Sequence, residues 1–215
     1  MSELREYFRV RRNEIVIFIS FLEKIDQEPS YQDEIKILKS QAILMLYNLI
    51  EGTVNKGLQC IFDTINDDNL KHNEVSHHIV RIWMIFCDFK LDNKKIKINK
   101  SLPLVDSFIN NNVDISVDKF RNINSGYFSA GNLDARIIRE DILTKFEIGA
   151  DIQEDILLEI KEERNFLAHG EKSFTEVGQG KSVPDMKVIS NKVIDFLNRY
   201  VSEIENYIND ENYKI

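Results

Sequence analysis

Apolar residues recur at spacings of three and four along most of the chain, which is the pattern of amphipathic helices. The spacing predicts helices over residues 3–27, 31–65 and 70–89, and Pro29 ends the first of them. Within the second helix, residues 42–50 are apolar on nearly every side. A helix of that kind is buried, so we expect it to form the centre of the fold.

Residues 91–131 lack this regular spacing and interrupt the string of helices. We interpret them as an insertion, poorly ordered or of mixed structure, with a short helix over 104–110 and a short strand over 113–117. Helical spacing returns after the insertion, where Asn132 can cap a helix that runs to about residue 146.

Capping residues set the limits of the last two predicted helices. Asp151 and Glu154 have the spacing of a capping box, and the helix they begin is expected to end at residue 168 or 169. Gly170 then supplies the left-handed residue that closes a helix C-terminus. After a polar loop, Ser182 begins the final helix.

The composition favours an all-α fold. Eight glycines and three prolines in 215 residues are too few for the turns of a sandwich or a barrel. No apolar run is long enough to span a bilayer, no signal peptide opens the chain, and two cysteines cannot build a disulfide framework. We therefore expect one helical domain over residues 1–215, in a cytoplasmic protein that binds no membrane.

The formal net charge of −8 gives the chain no overall attraction to nucleic acid. Any contact with a phosphate backbone must therefore come from local basic patches. Two are visible, one near the N-terminus and one in the middle of the chain: Arg5, Arg9, Arg11, Arg12 and Lys90, Lys94, Lys95, Lys97, Lys100. Clusters of this kind are usually solvated faces, so neither decides the function.

One arginine lies where the helical pattern calls for an apolar residue. Arg164 continues the stripe formed by Ile160 and Leu167, and no residue three or four positions away is acidic. A half-buried guanidinium needs a partner from another helix, another subunit or a ligand. Beside it, Asn165 and His169 are four residues apart and share one helix face.

These three side chains suit a phosphodiester. The guanidinium can hold two phosphate oxygens, the imidazole can move a proton near neutral pH, and the amide can orient either of them. Arg164 and His169 point about 140° apart on an ideal helix, so the length of the arginine or unwinding at Gly170 must bring them together. The alternative is structural: a buried arginine–glutamate pair beside a helix-capping histidine.

The run from Arg164 to His169, RNFLAH, resembles the R-x4-6-H signature of the HEPN superfamily of helical ribonucleases. Three further blocks are similar to the MAE-type HEPN nucleases of bacterial conflict systems and lie in the same order: LYNLIEGT at 46–53, GNLDAR at 131–136 and HGEKSF at 169–174. This resemblance spans roughly residues 40–210 and leaves out the first 30 residues and the segment 90–117.

The resemblance implies a helical bundle that forms a homodimer, in which two signature motifs face each other across one cleft. The implied activity is metal-independent RNA cleavage without a cofactor, by a toxin or antiphage effector. His169 would exchange protons with the ribose 2′-hydroxyl and the leaving 5′-oxygen, Arg164 would stabilise the transition state, and Asn165 would position the phosphate or the histidine. An antitoxin or another defence-system protein is the implied partner, but Glu171 replaces the tyrosine that antitoxins modify in some HEPN toxins.

Glu51 is a supporting candidate because it interrupts the apolar middle of the second helix. HEPN proteins often supply a polar residue at this place to the signature arginine. A buried pair of Arg164 and Glu51 would provide the missing partner, and the alternative is a Glu51 that faces solvent.

Two other classes of function stay open on the sequence. A non-catalytic helical module would bind RNA or a protein through the same cleft, and it would tolerate replacement of His169. A metal-dependent phosphohydrolase would need three or four convergent ligands. The cluster that comes closest to this has no cysteine near it, and we expect no metal site there: His72, Glu74, His77 and His78.

Overall fold

The computed structural model describes residues 2–86, 98–118, 120, 132–149 and 155–215. Within these ranges the chain is helical and has no strand, so the all-α prediction is confirmed. None of the helices in these ranges is long and apolar enough to cross a membrane. The helices are α1 (Glu3–Ile25), α2 (Gln32–Asp67), α3 (His77–Phe86), α4 (Ile98–Asn110), α5 (Ala135–Ile137, continued as a π-helix over Ile138–Leu143), α6 (Asp155–Ala168), α7 (Phe174–Gln179) and α8 (Val183–Asn209).

The long helix α2 is the centre of the fold, as its apolar pattern predicts. Helices α1, α6, α7 and α8 all pack against it. Leu46, Tyr47 and Ile50, in the middle of α2, are each at most 1% exposed. Because four helices rest on α2, its side chains decide how the parts of any site are placed relative to one another.

Helix α3 begins later than predicted, at His77 rather than near residue 70. The backbone before it pairs with other segments, through isolated bridges from Lys71 to Asn112 and from Val75 to Lys214. These bridges use the peptide groups that a longer helix would need, so the helix starts after them.

The insertion contains a helix, but the predicted strand over 113–117 is wrong. Helix α4 starts at Ile98, ahead of the predicted 104–110, and ends at Asn110. Val113 and Ile115 alternate as expected and are buried. However, the Ile115 N–H donates to Oδ1 of Asn66 at 3.2 Å rather than to a neighbouring strand.

Asp134, rather than Asn132, is the N-cap of α5. Its Oδ1 accepts a hydrogen bond from the Ile137 N–H at 3.0 Å. The predicted capping box of Asp151 and Glu154 lies outside the described residues.

The last helices begin and end at capping signals, one of which lies in the segment predicted as loop. Gly170 has φ +69° and closes α6 as predicted. Ser173 and Glu176 form a capping box that begins α7, a helix that was expected to be loop. Ser182 and Asp185 form a second capping box at the start of α8, as predicted.

Candidate functional site

The guanidinium of Arg164 lies over an aromatic ring. Its Cζ is 4.8 Å from the centroid of the Tyr47 ring. Its Nη1 donates a hydrogen bond to Oδ1 of Asn165 at 3.0 Å. No carboxylate within the described ranges makes an ion pair with Arg164. The charged guanidinium of this half-buried arginine is therefore positioned by two neutral groups, an aromatic ring and an amide.

Tyr47 joins three parts of the fold at this point. Tyr47 belongs to α2, and its side chain is fully buried under Arg164 of α6. Its hydroxyl accepts a hydrogen bond from the N–H of Leu133, in the segment that leads into α5, at 3.2 Å. Burial raises the pKa of the phenol to about 12, so it is neutral at physiological pH.

Glu51 does not pair with Arg164. It is half-buried one helical turn after Tyr47, and it makes neither an ion pair nor a hydrogen bond with any described residue. Its charge is near enough to raise the pKa of Tyr47 further. The buried arginine–glutamate pair, which was both the structural alternative and the role foreseen for Glu51, is not formed by Arg164 with any described residue.

His169 lies just beyond the end of α6 and is exposed. Its backbone N–H donates to the carbonyl of Asn165 at 3.0 Å, and the N–H of Glu171 reaches the carbonyl of Phe166 at 2.9 Å. The imidazole itself bonds to no described residue. The structure thus joins the Arg164 and Asn165 side chains, with His169 about one turn away and open to solvent.

Two lysines fasten α6 to its surroundings. Lys161 lies on α6, the helix that carries Arg164 and is called the motif helix below. It donates to Oδ2 of Asp134 at 2.6 Å, so the N-cap of α5 is also the ion-pair partner of the motif helix. Lys181, in the loop before α8, binds Glu159 and Glu163 of α6. These contacts limit how far the motif helix can slide or rotate.

The two carboxylate oxygens of Glu163 differ in their partners. Its Oε1 binds Lys181, whereas its Oε2 is buried and meets no hydrogen-bond donor among the described residues. Burial raises the pKa of this carboxyl, and the Lys181 ion pair opposes that effect without overcoming it.

Helix α7, which follows His169 in the chain, packs closely against α2. A Cβ on Gly178 of α7 would come within 1.7 Å of the carbonyl oxygen of Lys36. The Ser40 hydroxyl donates to the carbonyl of Phe174 beside it. Only glycine fits at position 178, and this contact fixes the chain that follows the motif.

A comparison with protein-family models identifies the family of the chain. A model of the MAE_28990-like HEPN family matches residues 1–213. The chain belongs to this HEPN family. The match also takes in the first 30 residues and the segment 90–117, which the resemblance seen in the sequence does not cover. No curated protein and no solved structure matches the chain.

HEPN membership suggests a ribonuclease-like activity and gives the motif residues a context. Tyr47 was not assigned a role from the sequence, although it belongs to the block LYNLIEGT. Its signal is a hydroxyl-bearing aromatic residue inside an otherwise apolar run. Which helix meets that residue depends on tertiary packing.

Two of the three histidines in the cluster of this HEPN protein, His72 and His78, are packed in the interior. His72 is buried, with its ring 4.0 Å from that of Trp83 and 5.0 Å from that of Phe108. Nε2 of His78 lies 2.7 Å from the Tyr207 hydroxyl. In the described part of the chain, no group of three or more His, Cys, Asp or Glu side chains is placed to hold a metal ion.

Two of the four arginines in the N-terminal basic patch are paired with carboxylates. Arg5 binds Glu205 and Arg9 binds Glu6. Arg11 instead lies over an aromatic ring of its own helix. In the second patch, Lys90, Lys94, Lys95 and Lys97 lie outside the described residues.

Proposed function

We propose that this HEPN protein is a metal-independent endoribonuclease whose reacting groups are Arg164, Asn165 and His169. The observation that carries the proposal is the half-buried guanidinium held by Tyr47 and Asn165 without a carboxylate. An arginine that packs in a structural ion pair is already neutralised, whereas this one keeps its charge for an anion. A phosphodiester that binds there has an exposed imidazole one helical turn away.

The chemistry that fits these groups is transesterification by the ribose 2′-hydroxyl. His169 takes the proton of that hydroxyl, and its oxygen forms a bond to the adjacent phosphorus. The bond from phosphorus to the 5′-oxygen breaks, and a second imidazole protonates the leaving oxygen. Arg164 stabilises the negative charge of the phosphorane-like transition state, and Asn165 holds the guanidinium in place.

A homodimer supplies the second imidazole. Each chain has a single motif, and the exposed imidazole of His169 is free to face its copy across a shared cleft. One histidine then acts as base while the other acts as acid. Cleavage of cellular or phage RNA by such a dimer is the action of a toxin or antiphage effector, and an antitoxin or another defence-system protein would restrain it.

The test is cleavage of tRNA and mixed RNA in the presence of EDTA. Wild type and His77→Ala, a control at an exposed histidine outside the site, are expected to cleave. His169→Ala and Arg164→Ala are expected to lose about 10²–10⁴ in rate. Wild-type activity in either of these two variants contradicts the proposal. RNA binding without cleavage by all four proteins supports the non-catalytic module instead, and loss of wild-type activity in EDTA supports a metal-dependent enzyme.

A further inference from the structure

Several polar side chains meet in a cavity between α1 and α2. The cavity has a volume of about 500 Å³. Its α2 residues lie within about two helical turns of Tyr47, whose ring lies under Arg164. Its polar lining consists of Tyr7, Arg11, Glu14, Asn48, Glu51 and Asn55.

Arg11 is the cation of this cavity, and it is supported much as Arg164 is. Its Cζ lies 3.7 Å from the centroid of the Tyr7 ring. It makes no ion pair with any described residue, although Glu14 is three positions away on the same helix. The Tyr7 hydroxyl lies only 2.5 Å from where a Cβ on Gly52 would be. Gly52 therefore makes room for Tyr7, which in turn places Arg11.

The opposite wall offers hydrogen-bond acceptors. The carboxylate of Glu51 is half-buried and has no partner in the described structure. Oδ1 of Asn55 is buried and meets no hydrogen-bond donor in the described ranges. A buried acceptor in a native protein is normally satisfied, so the unsatisfied Oδ1 of Asn55 beside the half-buried carboxylate of Glu51 points to a ligand that donates hydrogen bonds.

We propose that this cavity binds an unpaired RNA base next to the cleaved phosphodiester, and that it favours guanine. The proposal rests on the nuclease function and names a specificity site for it. The Watson–Crick edge of guanine presents adjacent N–H donors that a carboxylate such as Glu51 accepts. Its O6 and N7 accept from a guanidinium such as Arg11, the pairing most often used to read this base. Adenine, cytosine and uracil do not combine these features.

The experiment measures binding without cleavage, on the full chain with His169→Ala. The probes are four fluorescent RNA hexamers that are uridine except at one internal position, which is A, C, G or U. We expect the G hexamer to bind about tenfold more tightly than the others, or better. Arg11→Gln and Glu51→Gln, each added to His169→Ala, should bring that ratio close to one. Arg12→Gln, a neighbour with the same charge change that does not line the cavity, should preserve it.

Equal affinity for the four hexamers overturns the proposal, as does a guanine preference that survives both Arg11→Gln and Glu51→Gln. Thermal unfolding of each variant shows that the fold is kept, which is expected because Arg11 is exposed. The experiment can disprove the base site and the nuclease function independently of each other. Wild type that cleaves RNA while the hexamers bind equally disproves the base site alone. A guanine preference in a protein that never cleaves disproves the nuclease alone.

Discussion

Arg164 is positioned by a ring and an amide, and this choice of neighbours has a chemical consequence. A carboxylate in the place of Tyr47 would hold the guanidinium equally well but would also neutralise it. The face of an aromatic ring attracts a cation through its quadrupole and leaves the N–H donors free for an anion. Tyr47 can therefore fix the direction of Arg164 without competing with phosphate.

Two substitutions of Tyr47 test the contribution of its ring and that of its hydroxyl separately. Tyr47→Phe keeps the ring under Arg164 and loses the Leu133 hydrogen bond, so we expect kcat within a few-fold of wild type. Tyr47→Leu removes the ring, and kcat should fall about tenfold or more, since a desolvated cation–π contact is worth about 2 kcal/mol. Steady-state cleavage kinetics beside thermal unfolding measure both. Equal kcat values for folded Phe and Leu variants would rule out a role for the ring.

His72 makes the stability of the fold depend on pH. Burial between Trp83 and Phe108 lowers its pKa below the ordinary 6.5, and the hydrogen bond to the Asn111 carbonyl offsets this only in part. As pH falls below about 6.5, the unfolded chain takes up the proton first, so stability is full above that pH and declines below it. The Tm should therefore drop between pH 7.5 and 5.5. His72→Phe should make this drop smaller, with the rest coming from His78, whose pKa burial also lowers. The exposed His77→Gln should leave the curve unchanged.

At the level of elements, the seat of α7 on α2 depends on one glycine. Gly178→Ala places a Cβ against the Lys36 carbonyl, so α7 must move away from α2, and we expect a loss of about 1–3 kcal/mol in the free energy of unfolding. Gly180→Ala is the matched control, because its nearest neighbour would be 3.6 Å away. Urea titrations of both variants give the comparison. A Gly178→Ala protein as stable as Gly180→Ala would show that the contact adjusts freely.

The elements that the sequence predicts well are those whose signals are local. Periodicity and caps place α1, α2 and α8 within a few residues of their observed limits. The strand prediction over 113–117 fails because period-two burial also occurs in an extended segment that bonds to a helix end. Helix α7 was missed because it is short, although its capping box is visible in the sequence.

The same contrast between local signals and tertiary packing applies to the candidate site. Arg164, Asn165 and His169 are predicted as site residues from spacing and resemblance, because they lie on one helix and its end, and their roles stay a prediction. The supports of that helix join residues far apart in the chain, such as Arg164 on Tyr47 and Lys161 on Asp134. No local pattern indicates which face of α2 meets α6, so these partners, and the absence of the Glu51 pair, required the structure.

At the scale of the whole molecule, the proposed reaction needs two chains. If both His169 residues act at one cleft, a mixed dimer of wild type and His169→Ala is inactive or nearly so. Adding His169→Ala in excess to a fixed amount of wild type should therefore lower the cleavage rate once subunits have exchanged. The control is the same mixture assayed before exchange. An unchanged rate after full exchange would show that each chain cleaves by itself.

The most direct test of the central claim is the chemistry of the new RNA ends. Wild-type protein in EDTA should leave a 2′,3′-cyclic phosphate on one fragment and a 5′-hydroxyl on the other, and His169→Ala should leave the RNA intact. Mass spectrometry of a cleaved synthetic RNA measures both ends at once. A 3′-hydroxyl with a 5′-phosphate would contradict attack by the 2′-hydroxyl, and with it the roles given to Arg164 and His169.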